Sequence, residues 1–420
     1  MKINKLILIA ALAAMFSGLA LTAQNNSMTP YSRYGYGILG DNATSSQRGM
    51  GGVGYAMNSG RQINVMNPAS YAAIDTLTFL FDIGANVKQM WTTENGESGR
   101  NFGGGLDYIT MQFPLGKYMG GSVGLLPFSE VGYSFGDKID NGTNSRQGSG
   151  GINQAYVGVS GRPFKGFTVG ANVSYLFGNI LNDTYAYTNT GSQSLFERVM
   201  TVRDWNVRFG VQYSFNIKPQ HRFTVGAVFS PGKSFRGHTY GVYYAQQSGD
   251  NTYSADTVGY TSLKGKYSMP ATWGGGINYE WNGRLMAEVD FTYQPWKDAK
   301  YSSLEGFESI RLDNRWKVAA GIQYTPQPRG RYLQRVQYRV GGFYNHDYLM
   351  VGDNTISDYG VSVGFGLPAA ITPMLRTVIN LSVEYRHRQA NPVPLIKEDY
   401  LTITLGVNFN ELWFWQNKIK

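Results

Sequence analysis

Residues 48–75 read RGMGGVGYAMNSGRQINVMNPASYAAID and place Gly49, Gly51 and Gly54 in a G-x-G-x-x-G spacing. In a dinucleotide site such glycines let the backbone close on a pyrophosphate between a strand and a helix. Here the preceding TPYSRYGYGILGDNATSSQR is polar and glycine-rich, with no strand pattern. Residues 55–59 are too few for a helix before Gly60 interrupts them. The spacing therefore predicts backbone turns and close approach in a compact segment that never joins a sheet. No nucleotide is expected.

Other chemistry-bearing residues are sparse. The histidines are His221, His238, His346 and His387, and Cys is 0. No H-x-x-x-H occurs, so neither a metal nor a cofactor is predicted. His346-Asp347 in an expected outer loop and His387 near the rim are explained by a solvated loop. The expectation is a protein that is not an enzyme.

The elements that position these residues begin with an export signal. Lys2 and Lys5 precede an apolar run over 6–21, then Leu21-Thr22-Ala23. This three-part pattern predicts a signal peptide over 1–23. Of 420 residues, 42% are hydrophobic and 15% charged, with 53 Gly and 30 Tyr. No later apolar run approaches the ~20 residues of a spanning helix. Without Lys/Arg clusters, the +9 net charge points to anionic lipid or lipopolysaccharide, not nucleic acid.

From Leu77 onward the period is two. Leu401, Ile403, Leu405, Val407 and Phe409 share one face; Thr402, Thr404, Gly406 and Asn408 share the other. Residues 167–175 and 285–293 repeat the scheme. The polar faces carry mostly Gly, Thr, Ser and Asn, which suits a crowded lumen behind a lipid-facing exterior. About fourteen such segments start near 77, 103, 119, 152, 166, 200, 221, 271, 284, 313, 335, 358, 376 and 400. Short connections (114–118, 161–165, 216–220, 281–283) alternate with longer ones (91–102, 137–151, 243–270, 297–312, 346–357, 389–399). Trp91, Trp296 and Trp316 fall toward the long loops, and Trp281, Trp413 and Trp415 toward the other end, as two interfacial belts would require. Trp205 and Trp273 fit neither belt.

The predicted fold is all-β: a transmembrane antiparallel barrel over 77–410, with a hatch or plug over 24–76 and a periplasmic tail over 411–420. A fourteen-stranded wall encloses more space than its own side chains fill.

The run Arg48-Gly-Met-Gly-Gly-Val-Gly-Tyr-Ala56, followed by Asn67-Pro68-Ala69, resembles the hatch of the long-chain fatty-acid (FadL-like) outer-membrane transporters. Leu126-Pro127-Phe128, Met269-Pro270-Ala271 and the segments 273–279, 288–296 and 314–324 extend the likeness thinly over most of the chain. The family usually follows N-P-A with a small residue and then an apolar one; here Ser70-Tyr71 follow. The C-terminal Phe409-Asn-Glu-Leu-Trp-Phe-Trp415-Gln-Asn-Lys-Ile-Lys420 looks like Bacteroidetes-type outer-membrane proteins. The resemblance implies a bacterial outer-membrane location and a hydrophobic ligand captured near the outer loops. It also implies a hatch built on Arg48, Gly49, Gly51, Gly54, Asn67, Pro68 and Ala69, and a kinked third strand that opens sideways.

The residues supply a counterpart to that kink. Pro127, beside Phe128, removes a ladder donor and bends or bulges the third strand, as a lateral gate or as a bulge with no transport role. By alternation Asp82, Lys88, Glu288, Asp290, Lys317, Arg339, Glu384 and Arg386 point inward. They make either a salt-bridged lumen that anchors the plug or a selectivity ring, in which Arg339 and Lys317 would hold an acid headgroup. Arg48 and Arg61 could reach lumen carboxylates from the hatch. Two functions compete: uptake of hydrophobic or amphipathic small molecules, and a sealed scaffold in secretion or outer-membrane assembly with an envelope protein partner. The Tyr-rich loop 239–260 and the tail 418–420 are docking surfaces in the second. A continuous apolar cavity leading to Pro127 favours the first; a polar, plugged lumen favours the second.

Overall fold

A computed structural model describes residues 29–246, 254–302, 310–372 and 375–412. The expected signal peptide, Trp413, Trp415 and the basic tail lie outside them. Fourteen antiparallel strands form the wall: β1 (Thr78–Glu94), β2 (Glu97–Gly116), β3 (Met119–Ile139), β4 (Gly142–Phe164), β5 (Phe167–Thr188), β6 (Gln193–Lys218), β7 (His221–Ser230), β8 (Thr272–Trp281), β9 (Leu285–Gln294), β10 (Arg315–Tyr324), β11 (Gln337–Val351), β12 (Asn354–Thr372), β13 (Leu375–Asn391) and β14 (Lys397–Leu412). Each pairs with its neighbour in sequence. β14 pairs with β1, Leu405 opposite Ala85, and closes the ring.

The exterior is the apolar face. Val157 and Val361 are exposed and Ile403 is 44% exposed, whereas Thr404 and Asn408 on the alternate face of β14 are buried. A soluble sandwich would bury the first set; a lipid-facing barrel exposes it. Trp205 and Trp273 belong to this exterior, each 54% exposed, with ring centroids 5.0 Å from Tyr175 and 4.3 Å from Phe229.

Several expected outer loops are strand. β1 and β2 join through Asn95-Gly96 alone, both with positive φ (49° and 86°), the geometry of a tight hairpin. Residues 140–141 and 352–353 likewise suffice for the expected excursions 137–151 and 346–357. Continued pairing keeps the backbone satisfied above the apolar belt. His346-Asp347 therefore lies within β11. The Tyr-rich segment forms a hairpin, Gly237–Gln246 with Ser254–Ser262, paired to the upper part of β6. Trp296 is not a belt residue. It is 1% exposed, packed with Tyr36 and Tyr348 at centroid distances of 5.8 and 4.5 Å.

The segment preceding β1 lies inside the ring. Glycines on β3, β5, β7, β10 and β12 face its backbone: Gly120 at Tyr71, Gly170 at Pro68, Gly226 at Tyr55, Gly321 at Met50 and Gly364 at Gly49. A segment that touches strands all round a closed barrel occupies its lumen. The close approach depends on missing Cβ atoms; one built on Gly341 would stand 2.1 Å from the Met50 carbonyl carbon. Gly341→Ala is expected to cost about 1–3 kcal/mol by overpacking, read as a lower unfolding midpoint in detergent. Gly116→Ala, with open space around it, should leave the midpoint unchanged. Equal effects would mean that wall and segment are not in contact.

Two local features differ from expectation. Ser45–Arg48 is a single helical turn in a run that showed no regular element, although, as expected, no strand immediately precedes the glycine spacing. Ile38–Leu39 does join the sheet, pairing antiparallel with Glu130 and Ser129 of β3. It can do so because β3 has left its other neighbour there, as described below.

Candidate functional site: a filled lumen and a seam

Inward carboxylates of β9 hold the glycine-rich turn. Asp290 accepts hydrogen bonds from the backbone N–H of Gly54 (2.6 Å) and Tyr55 (2.9 Å). Glu288 accepts from Ala56 (2.8 Å) and Met57 (3.1 Å), and from Asn278 Nδ2 (2.7 Å). The G-x-G-x-x-G is thus a wall contact. Gly49 lies over Gly364, Gly51 (φ +73°) donates to Ser362 Oγ at 2.9 Å, and Gly54 caps Asp290. Asn67 sets the next turn: its Oδ1 accepts from Ala69 N (3.0 Å) and its Nδ2 donates to Tyr55 O (2.7 Å). Pro68 then opens the 3₁₀ turn Pro68–Ala73, where its missing N–H costs nothing.

A second contact is ionic. Asp41 meets Lys317 Nζ at 2.7 Å and Arg315 Nη2 at 3.1 Å. Burial pushes its carboxyl up, but Lys317 and Arg315 outweigh burial and hold it well below the usual carboxylate range. Around it, Arg386 pairs with Glu384 (3.0 Å) and Asp358 (3.3 Å). Arg388 lies between Asp347, Asp358 and Glu398 at 3.7–3.8 Å, and Thr29 Oγ1 donates to Glu398 at 2.6 Å. Arg48 reaches Asp107 at 2.8 Å, and Lys88 reaches Glu130 at 3.2 Å. Asp82 accepts from Tyr108 Oη at 2.9 Å, which itself accepts from Ser45 N at 2.9 Å.

Two expected roles change. Arg61 is exposed and makes no ion pair with a lumen carboxylate among the described residues. Arg339 is buried, but its guanidinium is occupied by neutral amides: Asn380 Oδ1 (2.7 Å), Gln323 Oε1 (2.8 Å) and Gln337 Oε1. A site for an acid headgroup would need that fork free.

The seam lies between β2 and β3. Their ladder runs from Gly116↔Met119 up to Ile109↔Leu125 and stops. Both strands bulge there: β2 at Asp107, between its Leu106 and Tyr108 pairings to β1, and β3 at Phe128, between its Pro127 and Ser129 pairings to β4. Pro127 has no N–H for a ladder, which makes this the point where β3 departs. Behind the seam is a cavity of about 100 Å³ lined by Arg48, Lys88, Asp107, Glu130, Arg386 and Arg388 among others. A second, of about 60 Å³, includes Tyr55, Phe128, Arg208, Asp290, Trp296 and Lys317. Both are charged and small beside the roughly 300–1,000 Å³ of a drug-sized ligand pocket.

Sequence reasoning missed Asp41, Asp107, Arg315, Asp347, Asp358, Arg388 and Glu398. Arg388 shares a face with Glu384 and Arg386 and lies within the segment read as strand, so the same alternation already pointed to it. Asp107 sits at a bulge, where alternation fails. Asp41, in a polar run without periodicity, carried no signal.

A closed fourteen-stranded barrel with an apolar exterior and a filled lumen is a bacterial outer-membrane protein of FadL-like fold. The BamG family model matches residues 2–420, and the chain belongs to that family. Among solved structures it is similar to a Pseudomonas aeruginosa FadL homologue, at 12% identity and TM-score 0.59, over 90% of this chain and 99% of that one. The Pseudomonas putida toluene transporter TodX gives 15% identity and TM-score 0.59, over 90% and 100%. The Ralstonia pickettii toluene transporter TbuX gives 14% and 0.51, over 89% and 99%. No curated protein matches the sequence significantly.

Proposed function

We propose that this barrel is sealed and serves as a scaffold or partner in secretion or outer-membrane assembly. The observation that carries this reading is the polar anchoring of residues 29–76: carboxylates of the wall bind their backbone, and the two cavities described above are small and lined by charged groups. Membership of the BamG family goes with it. In this reading 29–76 is a fixed plug, the exterior meets lipid and lipopolysaccharide, and the outer hairpin Gly237–Gln246/Ser254–Ser262 offers a docking surface to an envelope protein. The test has two arms. Purified protein in planar bilayers should show no stable conductance, and its depletion should lower the amount of other folded barrels in the outer membrane. A conducting barrel whose depletion leaves those proteins unchanged would refute the proposal.

The seam favours a second reading, uptake of hydrophobic or amphipathic small molecules with lateral exit at β3. TodX and TbuX are toluene transporters on the same fold, and here Pro127 and Phe128 bend β3 away from β2. Pro127→Val, by restoring a ladder donor, is expected to close the seam and abolish uptake of a small aromatic hydrocarbon. Uptake that survives in a variant whose β2–β3 amides have become protected from exchange would remove the gate.

A further inference from the structure

The net charge of +9 is unevenly placed. Outer turns mix signs: Asp137, Lys138 and Asp140 share one, and Arg311 pairs with Asp353 beside another. The described inner turns, 117–118, 162–166, 216–222, 281–284 and 325–336, hold no Asp or Glu. They hold Lys117 in the first, Arg162 and Lys165 in the second, and Lys218 and Arg222 in the third. Arg284 follows in the fourth, and Arg329, Arg331 and Arg335 in the last.

Part of this charge serves the interior. Arg162 donates to Ala72 O at 2.8 Å; Arg222 donates to Asn58 Oδ1 at 3.1 Å and lies 3.9 Å from Glu280. Lys117, Lys165, Lys218, Arg329 and Arg331 are exposed, and none has a carboxylate partner among the described residues. Backbone hydrogen bonds link the turns into an arc. Arg162 N donates to Tyr118 O (2.8 Å), Ser214 N to Gly166 O (2.7 Å), Asn282 N to Gln220 O (2.8 Å) and Thr325 N to Arg284 O (2.7 Å). The cations therefore follow the rim from β2 to β11. On their membrane side Leu115, Phe164, Ile217, Trp281 and Tyr324 are all exposed, an apolar girdle at the strand ends.

The turn between β10 and β11 is the most developed. Within it Tyr332–Arg335 is one turn of helix. Tyr338, on the lipid face of β11, donates its hydroxyl to Leu333 O at 3.1 Å and so holds that turn at the outside of the wall. Leu333 is 69% exposed there and Tyr332 48%, with the Arg335 guanidinium 5.9 Å from the Tyr332 ring centroid.

Barrels of this kind place their short turns in the periplasm, so this rim lies at the phosphate level of the inner leaflet. Two features favour a lipid headgroup over a soluble acidic protein. The cations extend along much of the rim, as an annulus of headgroups does, not over one footprint. Exposed Tyr332 and Leu333 stand beside the arginines, the pairing of apolar and basic groups that seats a segment in an anionic leaflet.

We propose that the periplasmic rim binds anionic phospholipid headgroups, with residues 325–336 as its main anchor. Arg329 and Arg331 meet phosphate, and Tyr332 and Leu333 enter the acyl boundary. The proposal rests on the barrel and its orientation, and it is independent of whether the lumen conducts.

The chain has no native cysteine, so single probes can be placed in the full-length protein. Leu333→Cys carrying a bimane is reconstituted in phosphatidylcholine nanodiscs that contain an equal fraction of brominated phosphatidylglycerol or brominated phosphatidylcholine. Gel mobility with and without heating verifies folding. The glycerol lipid should quench about three-fold more than the choline lipid at low salt, and the ratio should approach one in about 1 M salt. Adding Arg329→Gln and Arg331→Gln should bring the ratio near one, whereas Arg329→Lys with Arg331→Lys should keep it. A bimane at Val361→Cys, on the exterior of β12, should show no preference. Equal quenching at 333, an unchanged ratio in the glutamine variant, or the same excess at 361 would each overturn the proposal and leave the cations to an acidic protein. Gln327→Cys in cells should react with an impermeant maleimide only after the outer membrane is permeabilised. Labelling of intact cells would put the rim among lipopolysaccharide phosphates and overturn the proposal as well.

Discussion

Glu288→Ala combined with Asp290→Ala is expected to unseat the lumen segment while the wall stays closed. Four backbone N–H groups, of Gly54, Tyr55, Ala56 and Met57, lose their acceptors in a buried site. Each unsatisfied donor costs about 1–3 kcal/mol, so even with partial relaxation the loss is on the order of 4 kcal/mol. The strand ladder does not depend on these side chains, and the penalty falls on the segment alone. Limited proteolysis within residues 29–76 should become fast in the variant, and planar-bilayer recordings should gain a conductance. Glu288→Gln keeps an acceptor oxygen for Ala56 and Met57 and should retain most of the protection. A double-alanine variant that stays protease-resistant and non-conducting would show that the segment is held elsewhere.

Asp41→Asn should produce the second large effect, because it leaves Lys317 and Arg315 facing each other without a counter-ion. Removing one partner of a buried ion cluster costs about 3–5 kcal/mol; the partial exposure of Asp41 places the expectation at the lower end, ~3 kcal/mol. The pH dependence has a fixed sign. Lys317 and Arg315 hold the carboxyl below its unfolded value of about 3.9, so the folded state binds fewer protons in that range. Its contribution is full above that value and is lost as pH falls through the folded one. Between about pH 5 and strong acid, the wild-type unfolding midpoint should therefore fall more steeply than that of Asp41→Asn. Parallel curves would remove Asp41 from the latch.

Much of the wall could be read directly. Val, Ile and Tyr alternate with Gly, Thr and Asn because the two faces of each strand meet two different solvents, and this pattern yields the strand count and the inward set Asp82, Lys88, Glu288, Asp290, Lys317, Arg339, Glu384 and Arg386. The reading weakened at the outer ends. There the alternation dissolves into polar residues once a strand clears the lipid, although its ladder continues, so Asp347 and Glu398 were lost to supposed loops. It weakened again at Trp296, whose aromatic ring suits either an interface or a core. The glycine spacing was read correctly as close backbone approach, but its relation to the sheet was not. Whether residues 38–39 can pair depends on whether β3 has a free edge, and that is decided by bulges at Asp107 and Phe128.

The sequence by itself determined that this chain makes a closed β-wall in a membrane and carries a compact glycine-rich segment before it. Those properties follow from a local repeat of two residues and from local turn chemistry, each readable within about ten positions. Only the tertiary structure decided which inward charges meet, that β9 carboxylates grip Gly54–Met57, and that the ring parts between β2 and β3. Thr29 and Glu398, for example, are 369 residues apart in the chain and 2.6 Å apart in the lumen. Such partners are set by barrel register and by the path of the inserted segment, which no short window of residues encodes.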